Sequence, residues 1–136
     1  MTLVCDTTVV YASLDRRDRN HRVCADLLAA EERLVLPSPT LVEVDQLAHT
    51  RGIPRALAAL LGELLDGGFV IAEPDLESYA RVRDLVETYA DLPLGFVDAT
   101  VVAIAERLGE TTIATLDRRD FSVVKPLHCE AFTLVP

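Results

Sequence analysis

The chain has 136 residues, half of them hydrophobic, so it is long enough for one domain with a buried core and too short for two. Its 22 acidic residues outnumber its 13 basic ones and give a formal net charge of -9, which argues against a simple basic-patch nucleic-acid binder. No apolar run reaches the length of a membrane span, and the amino terminus lacks the features of a signal peptide. We therefore expect a single domain, residues 1–136, located in the cytoplasm.

The cysteines and histidines do not form a recognisable metal-binding or disulfide pattern. Cys5, Cys24 and Cys129 are an odd set without a C-x-x-C pair, and the three histidines have no ligand spacing among themselves. We expect the cysteines to be small buried hydrophobic residues in a reducing compartment.

Short apolar strands alternate with helical segments along the chain. Ser38-Pro39 is typical of a helix cap followed by proline at the first helical position, and Gly109 is typical of a helix end. In chain order, the predicted elements are a strand at 3–5, a helix from about Thr7, a helix over about 18–32, a strand at 34–36, a helix ending at Gly52, a helix at 54–65, a strand at 69–72, a helix over about 75–89, a helix at 96–108, and strands at 112–115 and 131–135.

This alternation predicts an α/β fold with three layers, in which helices cover both faces of a short, mostly parallel sheet of about five strands. Ligand sites in such sheets lie at the carboxyl ends of the strands. The residues that follow the predicted strands are therefore the first candidates for chemistry.

Two aspartates stand at such positions, and a third lies in the early turn of a helix. Asp6 directly follows the first strand and Asp117 the fourth; taken alone, Asp6 is more typical of a helix cap, and Asp117 of a loop or capping acid. Asp98 lies in the first turn of a helix whose following residues are almost all apolar. Aspartate is seldom buried without a partner, although the dipole at a helix start favours an anion there.

Glu43 follows the second strand by about one helical turn. Thr40 to Glu43 matches a capping box, which would give Glu43 a purely structural role. If Ser38 is the cap instead, Glu43 lies inside the helix without a backbone donor. Spacing alone does not separate Glu43 from Asp45 as a site residue.

Together the four acids, Asp6, Glu43, Asp98 and Asp117, could converge at one edge of the sheet. Carboxylates within a few ångströms repel one another, and a divalent cation removes that repulsion. Carboxylate oxygens without histidine or cysteine favour Mg²⁺ or Mn²⁺ over zinc.

Four segments in this order resemble the PIN-domain ribonucleases and, among them, the VapC-type toxins of bacterial toxin–antitoxin modules. They are residues 3–8 (LVCDTT), 37–43 (PSPTLVE), 89–99 (YADLPLGFVDA) and 115–121 (TLDRRDF). The resemblance implies a single PIN-like domain in which Asp6, Glu43, Asp98 and Asp117 are the acids of the metal site. It places Asp91 and Asp120 inside matched segments as possible positioning acids, and Thr115 as a hydroxyl near the site.

The resemblance also implies the function. A member of this family would be an endoribonuclease dependent on Mg²⁺ or Mn²⁺ that cleaves structured RNA of the tRNA or rRNA class by water attack on a phosphodiester. It would be silenced by a small cognate antitoxin and would form a homodimer.

Arginine supplies all but one of the basic residues, and two clusters stand out. Arg16, Arg17 and Arg19 follow the first helix, and Arg118 and Arg119 follow Asp117. Guanidinium groups bind phosphates and stack on unpaired bases, which suits RNA. Because acids are interleaved with these arginines, a solvated charged face is an equal alternative.

Three alternative classes fit parts of the pattern. A phosphorylatable receiver domain is also a small acidic α/β module, and Lys125 is similar to its lysine, but Cys5 stands where its paired acid is needed. A haloacid-dehalogenase-like phosphatase needs a second aspartate where Thr8 stands. A catalytically inactive binding module with the same fold is the other alternative, which the four intact acids argue against.

Overall fold

The computed structural model describes all 136 residues, with five strands and seven helices. The strands are β1 (Thr2–Cys5), β2 (Arg33–Pro37), β3 (Val70–Ala72), β4 (Thr112–Ala114) and β5 (Thr133–Val135). The helices are α1 (Thr7–Leu14), α2 (His21–Ala30), α3 (Thr40–Thr50), α4 (Arg55–Leu65), α5 (Leu76–Thr88), α6 (Phe96–Leu108) and α7 (Arg118–Val123). None of these helices is long and apolar enough to cross a membrane.

The five strands form one sheet in which every pair is parallel, in the order β3-β2-β1-β4-β5. The predicted sheet is thus confirmed and is entirely parallel. β1 is central, and its Val4 pairs with Val35 on one side and Ile113 on the other. A receiver-type sheet has the order 2-1-3-4-5, with β1 between β2 and β3. Here β1 lies between β2 and β4, so the receiver alternative is wrong.

Each face of the sheet has its own hydrophobic core, because successive side chains of a strand point to opposite faces. Val4, Val35 and Ile113 pack with residues of α5, α6 and α7 on one face. Leu3 and Leu36 pack with residues of α1, α2, α3 and α4 on the other. The sheet is therefore covered on both sides, and its carboxyl edge is the part left open for a site.

Two cysteines occupy the positions predicted for small hydrophobic residues and one does not. Cys5 and Cys24 are buried in the core on the α1 and α2 side, whereas Cys129 is partly exposed in the segment before β5. The prediction that all three are buried is therefore wrong for Cys129, because the segment after α7 lies on the surface.

Two local predictions differ from the structure. Ser38 does not cap α3; its hydroxyl donates to Glu73 (2.6 Å), and the helix begins at Thr40, whose hydroxyl donates to the carbonyl of Pro37 (2.7 Å). Helix α7, which begins directly after Asp117, is absent from the predicted elements, because six residues are too few to display a helical period.

Gly109 ends the helix that carries Asp98, and its φ of 70° lies in the left-handed region. We expect Gly109→Ala to lower the free energy of unfolding by about 1 kcal/mol, because a Cβ is strained in that conformation. Gly62 is the matched control, since it lies inside α4 and a Cβ added there would meet open space. We expect Gly62→Ala to raise stability by about 0.5–1 kcal/mol. Urea unfolding of both variants measures this, and equal shifts would contradict it.

Candidate active site

A pocket of about 520 Å³ opens at the carboxyl edge of the sheet. It is lined by nine residues, of which only Leu47 is hydrophobic. All four predicted acids, Asp6, Glu43, Asp98 and Asp117, are among them. We call this the acidic pocket.

Asp6 is the most deeply buried of these acids, with 1% of its surface exposed. The backbone N–H of Asp6 donates to the carbonyl of Ala114 in β4, which fixes its position beside the central strand (2.9 Å). Its Oδ2 atom accepts hydrogen bonds from the hydroxyls of Thr8 (2.8 Å) and Thr115 (2.7 Å). Its Oδ1 atom is buried without any hydrogen-bond partner. One carboxylate oxygen of Asp6 therefore accepts two hydrogen bonds, and the other accepts none.

Glu43 and Asp45 lie in different surroundings, so the structure separates two acids that spacing could not. The hydroxyl of Thr7, one residue after Asp6, donates to Glu43 Oε1 (2.6 Å). Asp45 instead lies beside His49 one helical turn away (3.2 Å) and does not line the pocket. The hydroxyl of Thr40 donates to the carbonyl of Pro37, so the capping box is absent. Glu43 instead lines the acidic pocket.

Asp120 joins the cluster through α7. Three carboxylate oxygens lie within 4.8 Å of one another, one from each of Asp98, Asp117 and Asp120. Asp117 also caps α7, since its carboxylate accepts from the N–H of Asp120 (3.4 Å), and its own N–H donates to the Thr115 hydroxyl (2.9 Å). Asp117 therefore caps a helix and lines the pocket at the same time.

The acids perturb one another electrostatically. Burial, reinforced by the negative charges of Asp6, Asp117, Glu43 and Asp120, raises the pKa of Asp98 from 3.8 to about 7. Burial also raises the pKa of Asp6, and the Thr115 and Thr8 hydroxyls offset only part of this effect. The site therefore holds more negative charge than its surroundings can stabilise.

This donor set fits a hard divalent cation. The buried Oδ1 of Asp6 lacks a donor, and the oxygens of Asp98, Asp117 and Asp120 stand close enough together to share an ion. The pocket lining contains no histidine or cysteine. Oxygen-only ligands are those preferred by Mg²⁺ and Mn²⁺.

The predicted RNA-binding arginines and Asp91 lie outside this pocket. Arg118 and Arg119 are exposed in α7, and their guanidinium groups donate to the carbonyls of Pro136 and Leu92, respectively. Arg16, Arg17 and Arg19 lie in the loop between α1 and α2. Asp91 is exposed in the turn after α5.

An all-parallel α/β sheet with a carboxylate cluster at its carboxyl edge defines a class of domain with a candidate cation centre. Residues 3–126 match the model of the PIN domain family. The chain is 31% identical over 135 residues to Ribonuclease VapC26 of Mycobacterium tuberculosis, covering 98% of this chain and 100% of that protein. The chain therefore belongs to the PIN-domain family and, within it, to the VapC group.

Solved structures share the fold at lower identity. VapC20 of Mycobacterium tuberculosis, described as a Sarcin-Ricin loop cleaving toxin, superposes with a TM-score of 0.82 and 20% identity over 94% of this chain and 98% of that one. VapBC2 of Rickettsia felis, bound to a DNA fragment of its promoter, gives a TM-score of 0.72 and 14% identity over the full length of both chains. The topology is thus that of these VapC structures.

The raised pKa of Asp98 predicts a pH-dependent effect on stability. In the folded chain without metal, the Asp98 carboxyl stays protonated up to a pKa of about 7, whereas in the unfolded chain it ionises near the ordinary pKa of 3.8. Its favourable contribution is therefore present at acidic pH and lost between these values. We expect Asp98→Asn to be more stable than the parent at pH 8 by about 1–2 kcal/mol. The gain is no larger because the side chain is partly exposed and solvent screens its charge.

The measurement is urea unfolding in EDTA at several pH values. The gain of Asp98→Asn should vanish near pH 4, where the aspartic acid is neutral as well. Asp91→Asn, in an exposed turn, is the matched control and should change little at either pH. Equal stability of Asp98→Asn and the parent at pH 8 would contradict the repulsion among these carboxylates.

Proposed function

We propose that this chain is a divalent-metal-dependent endoribonuclease of the VapC toxin type. The observation that carries the proposal is the buried Oδ1 of Asp6, which has no hydrogen-bond partner in a pocket that also holds Glu43, Asp98 and Asp117. An unpaired buried carboxylate oxygen among like charges is costly, and a bound cation removes the cost. The match to Ribonuclease VapC26 supports the reaction class.

Asp6, Asp98 and Asp117 would hold Mg²⁺ or Mn²⁺; Asp120 lies within reach of an ion shared by Asp98 and Asp117, and Glu43 lines the same pocket. The chemistry that such an ion supplies is neutralisation of the scissile phosphate and of the charge that develops on the leaving oxygen. Thr8 and Thr115 hold Asp6 in one orientation by donating to the same oxygen. This leaves the other oxygen to face the ion.

Glu43 is suited to accept the proton of the attacking water. Thr7 donates to its Oε1 atom and so fixes the carboxylate, while Oε2 remains available. In the hydrolysis, the water oxygen bonds to phosphorus, the water proton passes to Glu43, and the bond from phosphorus to one ribose oxygen breaks. That oxygen takes up a proton from solvent as it leaves, and Glu43 then releases the proton that it accepted to solvent, so atoms and charge balance.

The proposed substrate is structured RNA of the tRNA or rRNA class. VapC20, which shares the fold, is described as cleaving the Sarcin-Ricin loop. This likeness supports an RNA loop as the substrate and leaves its sequence open.

The proposed partners are a small cognate antitoxin and a second copy of this chain. Related folds occur in a structure from Klebsiella pneumoniae described as a toxin–antitoxin complex and in VapBC2 of Rickettsia felis. A groove of about 460 Å³ between α1, α2 and α4 suits an antitoxin segment. Its walls include Leu28 and Phe69, and Glu31, Glu32 and Glu63 line it as well, which favours an apolar segment carrying basic residues.

Asp98→Asn tests the catalytic role, because it removes a ligand charge with little change of shape. We expect cleavage of total RNA in Mg²⁺ or Mn²⁺ to fall by at least about 100-fold, since loss of a preorganised charge at the reacting centre costs this much. Asp84→Asn, on the exposed face of α5, is the control and should cleave like the parent.

A parent-like rate for Asp98→Asn would show that the metal-site interpretation is wrong. If the parent chain itself did not cleave RNA under any metal condition, the inactive binding module would be the better description. Circular dichroism of each variant distinguishes loss of activity from loss of fold.

Metal binding should also be visible without RNA. We expect saturating Mn²⁺ to raise the melting temperature of the parent at pH 8, since a ligand at about 100 times its Kd stabilises the folded state by about 2.7 kcal/mol. Asp98→Asn should show a much smaller rise, and Asp84→Asn should match the parent. Equal rises in all three proteins would place the ion elsewhere.

A further inference from the structure

A second polar cleft, of about 350 Å³, lies between the α1–α2 loop and the end of α3. It is lined by Arg17, Asp18, Arg19, Asn20 and Arg51. We call it the arginine cleft. Neither the established family membership nor the proposed chemistry uses it.

The acids and arginines that alternate in this loop are separated in space. Asp15 turns inward with 3% of its side chain exposed, and Asp18 is 13% exposed. The side chains of Arg17 and Arg51 are 66% and 48% exposed, and Arg19 is exposed too. The surface of the loop is therefore positive, which disfavours the interpretation as an evenly mixed, solvated face.

Internal hydrogen bonds hold the loop in this arrangement. The Tyr11 hydroxyl (2.7 Å) and the Arg17 N–H (2.9 Å) both donate to the carboxylate of Asp15. Burial alone would raise the pKa of Asp15, but these bonds and the Arg17 charge hold that pKa below its usual value. Asp15 is thus an ionised anchor beneath the arginines.

Arg51 connects this loop to α3. Its guanidinium donates to Asp18 Oδ2 (3.0 Å) and lies 5.1 Å from the ring centre of Tyr11, while its carbonyl accepts from Arg17. The second oxygen of Asp18 accepts from the N–H of Asn20 (2.8 Å). Both oxygens of Asp18 are engaged by donors of the protein, and its charge is paired with Arg51, which leaves Arg17 and Arg19 as the exposed charges of the cleft.

The arginine cleft and the acidic pocket are both lined by residues of α3 and its carboxyl end. Glu43, Leu47 and Thr50 share one face of this helix and line the acidic pocket, and Arg51 follows Thr50 directly. With a rise of about 1.5 Å per residue, Arg51 stands roughly 12 Å along the helix from Glu43. A strand of RNA a few nucleotides long can span that distance.

We propose that Arg17, Arg19 and Arg51 bind backbone phosphates of the RNA strand whose scissile phosphate lies in the acidic pocket. This inference rests on the proposed ribonuclease function. Guanidinium groups bind phosphate oxygens in a bidentate manner, and a chain of net charge -9 needs such a local positive surface to retain a polyanion. The cleft binds phosphates without reading bases.

Arg19→Gln and the double variant Arg17→Gln/Arg19→Gln test this role. The Arg19 side chain makes no hydrogen bond or ion pair within the protein, so its removal spares the fold, whereas Arg17 supports the loop. Arg33→Gln is the matched control, because Arg33 is exposed at the first residue of β2, at the opposite edge of the sheet.

Binding of a labelled single-stranded RNA is measured against salt concentration, with every variant carried on an Asp98→Asn background to prevent cleavage. We expect the slope of log K against log salt to fall by about 0.7 for each arginine that contacts a phosphate. Affinity should fall to a similar extent for RNAs of different sequence. In chains with Asp98 intact, KM should rise while kcat is retained.

Unchanged slope and KM in both arginine variants, with normal cleavage by the parent, would overturn the arginine cleft as a phosphate site. The proposal also fails if Arg33→Gln weakens binding equally, or if the variants lose affinity for a polyglutamate peptide and not for RNA. If the arginine variants bind RNA less well but the parent never cleaves it, the phosphate site stands and the proposed nuclease function fails.

Discussion

Mutual repulsion of carboxylates around the buried Asp6 is the constraint on which the rest of this molecule depends. Asp6 directly follows the central strand β1, and the parallel order brings β4 beside that strand, so Asp117 lies at the same edge. Thr115 links these two acids, since its hydroxyl donates to Asp6 and accepts the N–H of Asp117. Thr115 thus donates a hydrogen bond to one oxygen of Asp6 and fixes the orientation of the carboxylate, whose other oxygen has no partner.

The placement of Asp98 shows which electrostatic effect is larger. Asp98 lies in the first turn of α6, where the helix dipole favours an anion by about 0.3–1 kcal/mol. Burial and the neighbouring carboxylates nevertheless raise its pKa to about 7. The dipole therefore reduces the repulsion without cancelling it, and the buried α6 core, from Ala99 to Ala105, holds the residue in this unfavourable place. A centre held under such repulsion can respond strongly to a cation.

Sequence reasoning locates most of this site because parallel strands obey a simple rule: their carboxyl ends meet. That rule places Asp6 and Asp117 at the same edge, early helix turns add Glu43 and Asp98 as candidates, and the resemblance implies that all four are metal-site acids. Sequence spacing does not distinguish Glu43 from Asp45, because the contact that separates them is made by the hydroxyl of Thr7, 36 residues away in the chain. Asp120 receives no more than a positioning role from the sequence, because its approach to Asp98 requires α7, a helix too short to show a period.

Sequence spacing likewise does not show which charges are exposed in the fold. The exposed charges, more than the net charge of -9, decide whether RNA can bind. A count along the chain treats Asp15 and Asp18 as cancelling the arginines beside them. In the folded chain these acids point inward onto Tyr11 and Arg51, while the arginines remain outside. Because Coulomb attraction to phosphate falls with distance and solvent screening, the exposed groups decide the sign that a ligand meets. An acidic protein can therefore present a positive surface one helix away from a cluster of carboxylates.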